Sequence, residues 1–275
     1  MVPALREPPE RALLRVPVAS LRGGEMALDE ATSRYVVRVH RLRSGAEFLA
    51  FDPEAAVEAR ARLASDRLPI ASILVDEVRP AAAPAGWRTS LLQAVGKGDK
   101  PEQAVRDATV LGARRVLFVE TERCVARATG DNRRQRERRI AVEAARQAGR
   151  GDVPDLGGPE PLEAALRSLD SGSLRLVCAW HPDAVPLLRA LAGWRMDQEL
   201  VLLIGPEGGL TSLELAQAME QGFSPISLGP LVLRTETAAT VALGVARSYA
   251  DAQRPYDDAT RPCGGRPSSD DPAHG

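Results

Sequence analysis

The N-terminal third of the chain consists of short segments in which apolar and polar residues alternate. This alternation is typical of strands buried on one side, and turn sequences such as Gly23-Gly24 and Ser44-Gly45 separate the segments. The pattern predicts a small β-barrel. The segment 32–39 fits a helix against the barrel equally well, because one of its two faces is not purely apolar. The predicted strands cover 16–18, 25–28, 34–42, 47–51, 55–63 and 70–78.

A stretch rich in alanine and proline, 80–86, has the composition of a domain linker. Beyond it, apolar runs of strand length alternate with segments of helical period, which indicates a parallel α/β sheet. We expect strands at 90–95, 115–119, 174–180 and 200–204, helices at 101–111, 132–148, 162–169, 184–191 and 236–251, and a glycine and proline loop at 151–161.

These patterns divide the chain into a β-barrel domain (1–82), an α/β domain (83–251) and a tail (252–275). The tail is rich in Arg, Pro, Gly, Ser and Asp and has almost nothing to bury, so we expect it to be disordered. The whole sequence has 275 residues, 44% of them apolar, which is enough for two ordinary domains.

The composition indicates a soluble cytoplasmic protein. No apolar run approaches the roughly 18 residues of a membrane span, and prolines and charges interrupt the N-terminus, unlike a signal peptide. The three cysteines are widely spaced and form no CxxC pair, so neither a disulfide framework nor a metal site is predicted.

The formal net charge of −1 argues against wholesale nucleic-acid binding, but it conceals two arginine-rich segments. One lies within 34–43 and the other within 133–139. The second segment is either a solvated helix face or a contact to an RNA backbone. The only lysines, Lys97 and Lys100, both lie in the sequence Gly-Lys-Gly-Asp-Lys at 96–100.

A glycine loop, 205–209, directly follows the apolar strand predicted at 200–204. Such a loop at the C-terminal end of a parallel strand is a natural wall for a ligand pocket, since glycine lets a ligand approach the backbone. The loop matches no phosphate-binding pattern, because no lysine follows and Glu207 would repel a phosphate. Thr211 and Glu214 form a capping box for the next helix. Taken alone, the loop is equally consistent with a tight strand-to-helix turn.

A second loop at 228–230 leads through an apolar stretch, predicted as a strand at 231–233, into Arg-Thr-Glu-Thr-Ala at 234–238. Arg234 and Glu236 are predicted to lie in apolar surroundings, where unpaired charges are costly. They therefore either pair with each other or bind a ligand. The structural alternative is that Thr235 caps the following helix, Glu236 complements its dipole and Arg234 pairs locally.

The motif GPEGG followed by LGPLVLRTETA resembles the cofactor-binding region of the SPOUT-class RNA methyltransferases, and specifically the RsmE family, which methylates N3 of a uridine in small-subunit ribosomal RNA. The segment GKGDK at 96–100 and the segment 143–154, which reads EAARQAGRGDVP, are also similar to that family. The resemblance covers most of 91–250 and is most specific within 204–239.

The resemblance implies a PUA-like, RNA-binding N-terminal barrel, a SPOUT α/β domain with a trefoil knot, S-adenosyl-L-methionine as cofactor, a homodimer, and small-subunit ribosomal RNA, within the assembled 30S subunit, as substrate. It implies that the cofactor is bound by Ile204, Gly205, Glu207, Gly208, Gly209, Leu228, Gly229, Leu233, Arg234, Thr237 and Ala238. Candidate RNA contacts are Arg38, Arg41, Arg43, Lys97, Lys100 and Arg150, each of which is otherwise a plain surface charge.

Methylation of uracil N3 requires loss of the imide proton. If its pKa lies roughly two units above neutrality, holding the base deprotonated costs ~2.7 kcal/mol. One arginine or one general base can supply this. We therefore predict that Arg234 stabilises the uracil anion and that Glu236 orients it or accepts the proton. The alternatives are a SPOUT enzyme acting on transfer RNA or on a ribose hydroxyl, and a non-catalytic RNA-binding assembly factor.

Overall fold

The N-terminal part of the protein is built on one mixed sheet. The structure, a computed structural model, describes residues 13–81, 88–124 and 131–253. The strand order is β1-β3-β4-β5-β2, with β6 paired to β4, and only the β1–β3 pair is parallel. The elements are β1 (Arg15–Pro17), β2 (Gly24–Ala27), α1 (Glu30–Arg34), a π-helical turn (Tyr35–Val39), β3 (Glu47–Asp52), β4 (Val57–Ser65), β5 (Ser72–Val75) and β6 (Arg79–Pro80).

The strand predicted at 34–42 is wrong, and the helical alternative for this region is confirmed. Asp29 caps α1 by accepting a hydrogen bond from the Thr32 amide at 2.8 Å. The backbone closes a helical turn here, because the His40 amide donates to the carbonyl oxygen of Tyr35 at 3.1 Å, and this turn buries both Val36 and Val37. Ser33 anchors the turn, because its Oγ accepts a hydrogen bond from the Ala71 amide at 2.9 Å.

The second sheet has seven strands, all parallel, in the order β11-β13-β10-β12-β7-β8-β9. The predicted parallel α/β sheet is therefore confirmed. Its elements are β7 (Thr89–Ala94), α2 (Lys100–Val110), β8 (Arg115–Glu120), α3 (Asp131–Ala148), β9 (Asp155–Pro161), α4 (Leu162–Arg167), β10 (Leu174–Cys178), β11 (Val185–Pro186), α5 (Leu187–Ala190), a 3-10 turn (Leu191–Gly193), β12 (Leu200–Ile204), α6 (Ser212–Glu220), β13 (Phe223–Ser227) and α7 (Thr235–Ala252).

Helices cover both faces of this sheet. Neighbouring strand residues point to opposite sides, so that Leu91 packs with α2, α3 and α7, whereas Leu92 packs with α4 and α6. Three details differ from the expectation. The loop predicted at 151–161 contains β9, the stretch 231–233 is not a strand, and the helix predicted at 184–191 begins only at Leu187, after Pro186 has paired in β11.

The two sheets meet along α3. Arg138 of α3 pairs with Glu54 of the N-terminal part, and α3 also packs against β1. Most of the predicted linker and nearly all of the predicted tail lie outside the described residues. Within the described residues, no helix combines the length and the apolar character needed to cross a membrane.

Candidate functional site

A cavity of about 390 Å³ lies at the C-terminal ends of β10, β12 and β13, which are adjacent in the parallel sheet. Loops leaving neighbouring strands converge at this edge, which is where open parallel sheets bind ligands. The volume is in the range of small-molecule sites. Its walls come from three loops, at 178–180, 206–210 and 226–233, and from Arg123 and the helices α6 and α7.

The glycine loop forms one wall and is held at both ends. Gly209 has a φ of +70°, which side chains other than glycine rarely adopt. Arg123 donates a hydrogen bond from Nη1 to the carbonyl oxygen of Gly208 at 2.8 Å. After the loop, Thr211 and Glu214 form the predicted capping box of α6. The loop is therefore preformed in the free protein.

A buried threonine ties the glycine loop to α7. Thr235 donates a hydrogen bond from Oγ1 to the carbonyl oxygen of Gly205 at 2.6 Å and accepts one from Gln93 Nε2 at 2.9 Å. Thr235 and Gln93 are both buried. The alternative in which Thr235 caps the helix is wrong, because the N-cap residue is Arg234.

Lys100 links the glycine loop and α7 by electrostatic contacts. Its ammonium forms an ion pair with Glu207 and lies 3.8 Å from Oε2 of Glu236. The hydrogen bond between Lys100 and Glu207 raises the pKa of the lysine and lowers that of the glutamate. Glu236 is 7% exposed, and its Oε2 accepts no hydrogen bond from the described residues. Its carboxylate borders a small internal void, which Gln93 and Lys100 also line.

Arg234 and Glu236 have opposite environments. Glu236 is buried as predicted, but Arg234 is exposed, so the expectation that it lies in apolar surroundings is wrong. The two side chains do not pair with each other, because the cation beside Glu236 is Lys100. Arg234 makes no ion pair or side-chain hydrogen bond with any residue in the described ranges, and Thr237 is also exposed.

Most of the predicted cofactor residues line the cavity. Ile204 instead lies buried in the sheet, Gly205 gives its carbonyl to Thr235, and Arg234 and Thr237 adjoin the cavity in sequence without lining it. The predicted residues in the cavity wall are Glu207, Gly208, Gly209, Leu228, Gly229, Leu233 and Ala238.

The predicted RNA contacts are dispersed. Arg150 is only 5% exposed; it pairs with Asp152 at 2.6 Å and donates to the carbonyl oxygen of Thr109 at 3.0 Å. This geometry gives Arg150 a structural role and leaves no access for a phosphate. Lys100 is engaged by the two acids described above. The remaining predicted contacts, Arg38, Arg41, Arg43 and Lys97, are exposed.

Sequence reasoning missed the wall contributed by β10 and β13. Cys178 is the last residue of β10, Trp180 follows that strand, and Ile226 and Ser227 are the last two residues of β13. Burial raises the pKa of the Cys178 thiol, which therefore stays protonated and acts as a small apolar surface. Trp180 is 92% exposed at the cavity. These residues could have been found from the adjacency of β10, β12 and β13, because neighbouring parallel strands end at the same edge of a sheet. The order of strands in a sheet, however, cannot be derived from a single sequence.

Known proteins resemble this chain throughout the site. Residues 84–247 match the family model for the RNA methyltransferase domain. A ribosomal RNA small subunit methyltransferase E from Synechocystis sp. is 33% identical over 221 residues, which cover 79% of this chain and 71% of the relative. The protein of the same name from Mycobacterium tuberculosis is 35% identical over 162 residues, or 56% of this chain and 61% of the relative.

Two solved structures share the fold. One is a ribosomal RNA small subunit methyltransferase E from Neisseria gonorrhoeae bound to S-adenosyl methionine, with a TM-score of 0.77 and 26% identity over 86% of this chain and 98% of that chain. The other, a methyltransferase from Legionella pneumophila in complex with the same cofactor, gives the same values.

The cavity at the strand ends and the matched domain define the class as the RNA methyltransferases. Within that class, the family follows from the match to the Synechocystis relative, which is 33% identical over 221 residues. The chain belongs to the ribosomal RNA small subunit methyltransferase E family.

Proposed function

We propose that this protein transfers a methyl group from S-adenosyl-L-methionine to N3 of a uridine in small-subunit ribosomal RNA. The observation that carries the proposal is the cavity walled by the glycine loop, the loop at 226–233 and the start of α7. Family membership supplies the substrate class, and the chemistry of the cavity supports the cofactor.

The cavity residues fit this cofactor. It carries no phosphate, so backbone groups and an apolar slot for its adenine suffice. A Cβ at Gly209 or Gly229 would meet no atom within 4 Å, and both have positive φ, so the backbone is open to a ligand there. Leu228 and Leu233 supply apolar surface to the cavity wall. When bound, the cofactor supplies an electrophilic methyl group.

The residues of α7 then act on the uracil. In this proposal the N3 proton passes to solvent water, and Arg234 places its guanidinium against the uracil oxygens and stabilises the resulting anion until N3 accepts the methyl group. The exposure of Arg234 and its lack of a described partner leave this side chain free for that role. Glu236, which is buried beside Lys100, orients Arg234 by fixing the helix turn that carries it.

The finer architecture follows the family. We propose that the N-terminal part is a PUA-like, RNA-binding barrel, that the α/β domain contains the trefoil knot of SPOUT enzymes, and that two copies form a homodimer. The substrate in this proposal is ribosomal RNA within the assembled 30S subunit, which places the protein in the cytoplasm. The buried sheet with helices on both faces is compatible with this arrangement.

The test is incubation with isotopically labelled S-adenosyl-L-methionine and small subunits that lack the modification, followed by nucleoside analysis. We expect labelled 3-methyluridine. A label on a ribose hydroxyl, or label in transfer RNA alone, would support the other SPOUT activities. Absence of cofactor binding by calorimetry would support a non-catalytic assembly factor.

Arg234→Ala tests the role of the guanidinium. We expect cofactor affinity to be unchanged and kcat to fall by about 10²–10³, the effect of removing one donor that stabilises a developing anion. Arg234→Lys keeps the charge without the planar donor pair and should recover only part of the rate. An Arg234→Ala variant with the wild-type rate would remove Arg234 from the chemistry.

A further inference from the structure

The first arginine-rich segment, within 34–43, packs against α3, the helix that also carries the second segment. The Arg146 guanidinium of α3 lies 5.7 Å from the centre of the Tyr35 ring, and Tyr35 packs edge-on against His40. His40 is also close enough to Glu143 of α3 to lower the pKa of that carboxyl, although Arg146 has the larger effect. The segment that carries Arg38 therefore abuts the C-terminal half of α3.

Two open cavities flank α3 on this side. One, of about 370 Å³, lies between α3 and α2 and includes Arg106 and Arg136. The other, of about 760 Å³, lies between α3 and the N-terminal part and includes Arg134 and Arg138. Arg139 lines both. We call this surface the arginine groove and define it by Arg106, Arg134 and Arg139, to which we add the exposed Arg38 because its segment packs against α3.

The charge of the groove is not neutralised within the described residues. Each acid beside the groove pairs with an arginine outside the defining set: Glu143 with Arg146, Glu102 with Arg136, Glu54 with Arg138 and Asp155 with Arg115. By contrast, Arg38, Arg106 and Arg139 make no ion pair or side-chain hydrogen bond with a described residue, and Arg134 donates only to the carbonyl oxygen of Gly158 at 3.3 Å. The surplus is therefore positive even though the chain as a whole is nearly neutral.

The groove also leads toward the cofactor cavity. α3 follows β8, whose C-terminal loop carries the Arg123 that bonds to the glycine loop. A helix that follows a parallel strand starts at the ligand-binding edge of the sheet and runs away from it. Arg134 thus lies near the cofactor edge, Arg139 further along the helix, and Arg38 at the N-terminal part.

We propose that the arginine groove binds the phosphate backbone of the substrate RNA and guides it from the N-terminal part to the cofactor cavity. This inference rests on the proposed function for the identity of the polyanion. Guanidinium groups suit phosphates because they donate paired hydrogen bonds and remain charged. Phosphate contacts of this kind position the RNA without reading its sequence.

The experiment measures the affinity of the full chain for a transcript of small-subunit ribosomal RNA as a function of salt. The variant is Arg106→Ala/Arg139→Ala, which removes two exposed side chains without described partners. We expect the slope of log affinity against log salt to decrease by roughly one per arginine removed. Arg106→Lys/Arg139→Lys keeps both charges and should restore most of the slope.

Arg189→Ala is the matched control. Arg189 is also exposed without a described partner, but it lies on α5, beside β11 at the opposite edge of the sheet from β9. The slope of log RNA affinity against log salt for Arg189→Ala should equal that of wild type. Calorimetry should show unchanged cofactor affinity in every variant. A wild-type slope for Arg106→Ala/Arg139→Ala would overturn the groove, whereas a wild-type protein that binds RNA but transfers no methyl group would overturn only the proposed function.

Discussion

Lys100→Met is the most informative single change, because Lys100 connects the glycine loop to α7. Methionine keeps much of the side-chain stem and removes the ammonium. The sequence predicted a phosphate contact for Lys100, whereas the structure places its ammonium against Glu207 and 3.8 Å from Glu236. If Lys100 pairs with the two acids, its loss should lower the Tm and the cofactor affinity, whereas if it binds a phosphate, its loss should weaken RNA binding.

The two acids contribute unequally. The Glu236 side chain is 8% exposed, and leaving a buried polar group without its partner costs about 1–3 kcal/mol, and more when that group is charged. A loss near 2 kcal/mol lowers the Tm of a domain of this size by roughly 4–8 °C. The pair with Glu207 is partly exposed and solvent screens it, so it contributes about 0.5–1 kcal/mol to holding the loop. That corresponds to a roughly two- to fivefold weaker cofactor Kd.

Thermal unfolding and calorimetry with S-adenosyl-L-methionine measure both effects. Lys97→Met is the control, since it removes the same charge from the same segment but breaks no ion pair with a described residue. The double variant Lys100→Met/Glu236→Gln should recover part of the lost Tm, because it also removes the buried charge. If Lys100→Met keeps the wild-type Tm and cofactor Kd but reduces the salt slope of RNA binding by about one, Lys100 is a phosphate ligand and our reasoning fails.

Three further predictions concern the same region. The Tm difference between wild type and Lys100→Met should shrink in acid, which a series of thermal melts at different pH checks. The hydrogen bond from Lys100 lowers the pKa of Glu207 in the folded protein, so the pair stabilises the protein fully above the ordinary glutamate pKa of 4.5. This stabilisation is lost as the pH falls through the lower pKa of the folded state. Thr235→Val removes the hydrogen bond to the Gly205 carbonyl and leaves the Gln93 amide only its 3.2 Å bond to the Ala94 carbonyl oxygen, so it should cost about 1–3 kcal/mol by denaturant unfolding. Replacing the exposed Thr237 by valine should change stability by less than about 0.5 kcal/mol. Trp180→Ala should leave the Tm of the free protein unchanged, since Trp180 is 92% exposed, and should weaken cofactor binding measured by calorimetry; an unchanged Kd would remove Trp180 from the site.

The alternation of strands and helices in the α/β domain could be predicted because each element has its own hydrophobic period. The errors arose where that period is absent. β9 reads Asp-Leu-Gly-Gly-Pro-Glu-Pro, a turn composition, and it forms a strand only because it pairs with β8 at the edge of the sheet. The π-helical turn at Tyr35–Val39 alternates like a strand, but burial against the N-terminal sheet requires two adjacent valines on the inside.

The loops that line the cavity could be predicted because glycine clusters and a capping box are local features. The contacts that fix those loops could not, because they join distant parts of the chain. Thr235 and Gln93 are separated by 142 positions, and Lys100 and Glu207 by 107. A pattern within one segment shows that a charged residue is present. Only the folded chain, which brings the start of α2 beside the loop after β12 and the first turn of α7, shows that Lys100 faces two acids.

The first turn of α7 explains why a buried acid lies beside a site that binds RNA. Successive helical residues point roughly 100° apart, so Thr235 and Glu236 face inward while Arg234 and Thr237 face solvent. The inward residues are held by the Gly205 carbonyl and by Lys100. A guanidinium carried on a turn fixed in this way loses less freedom when it meets a substrate than one on a mobile loop. Under the proposed function, burying Glu236 fixes the helical turn that presents Arg234 to the substrate, so the two residues act together although only Arg234 contacts the uracil.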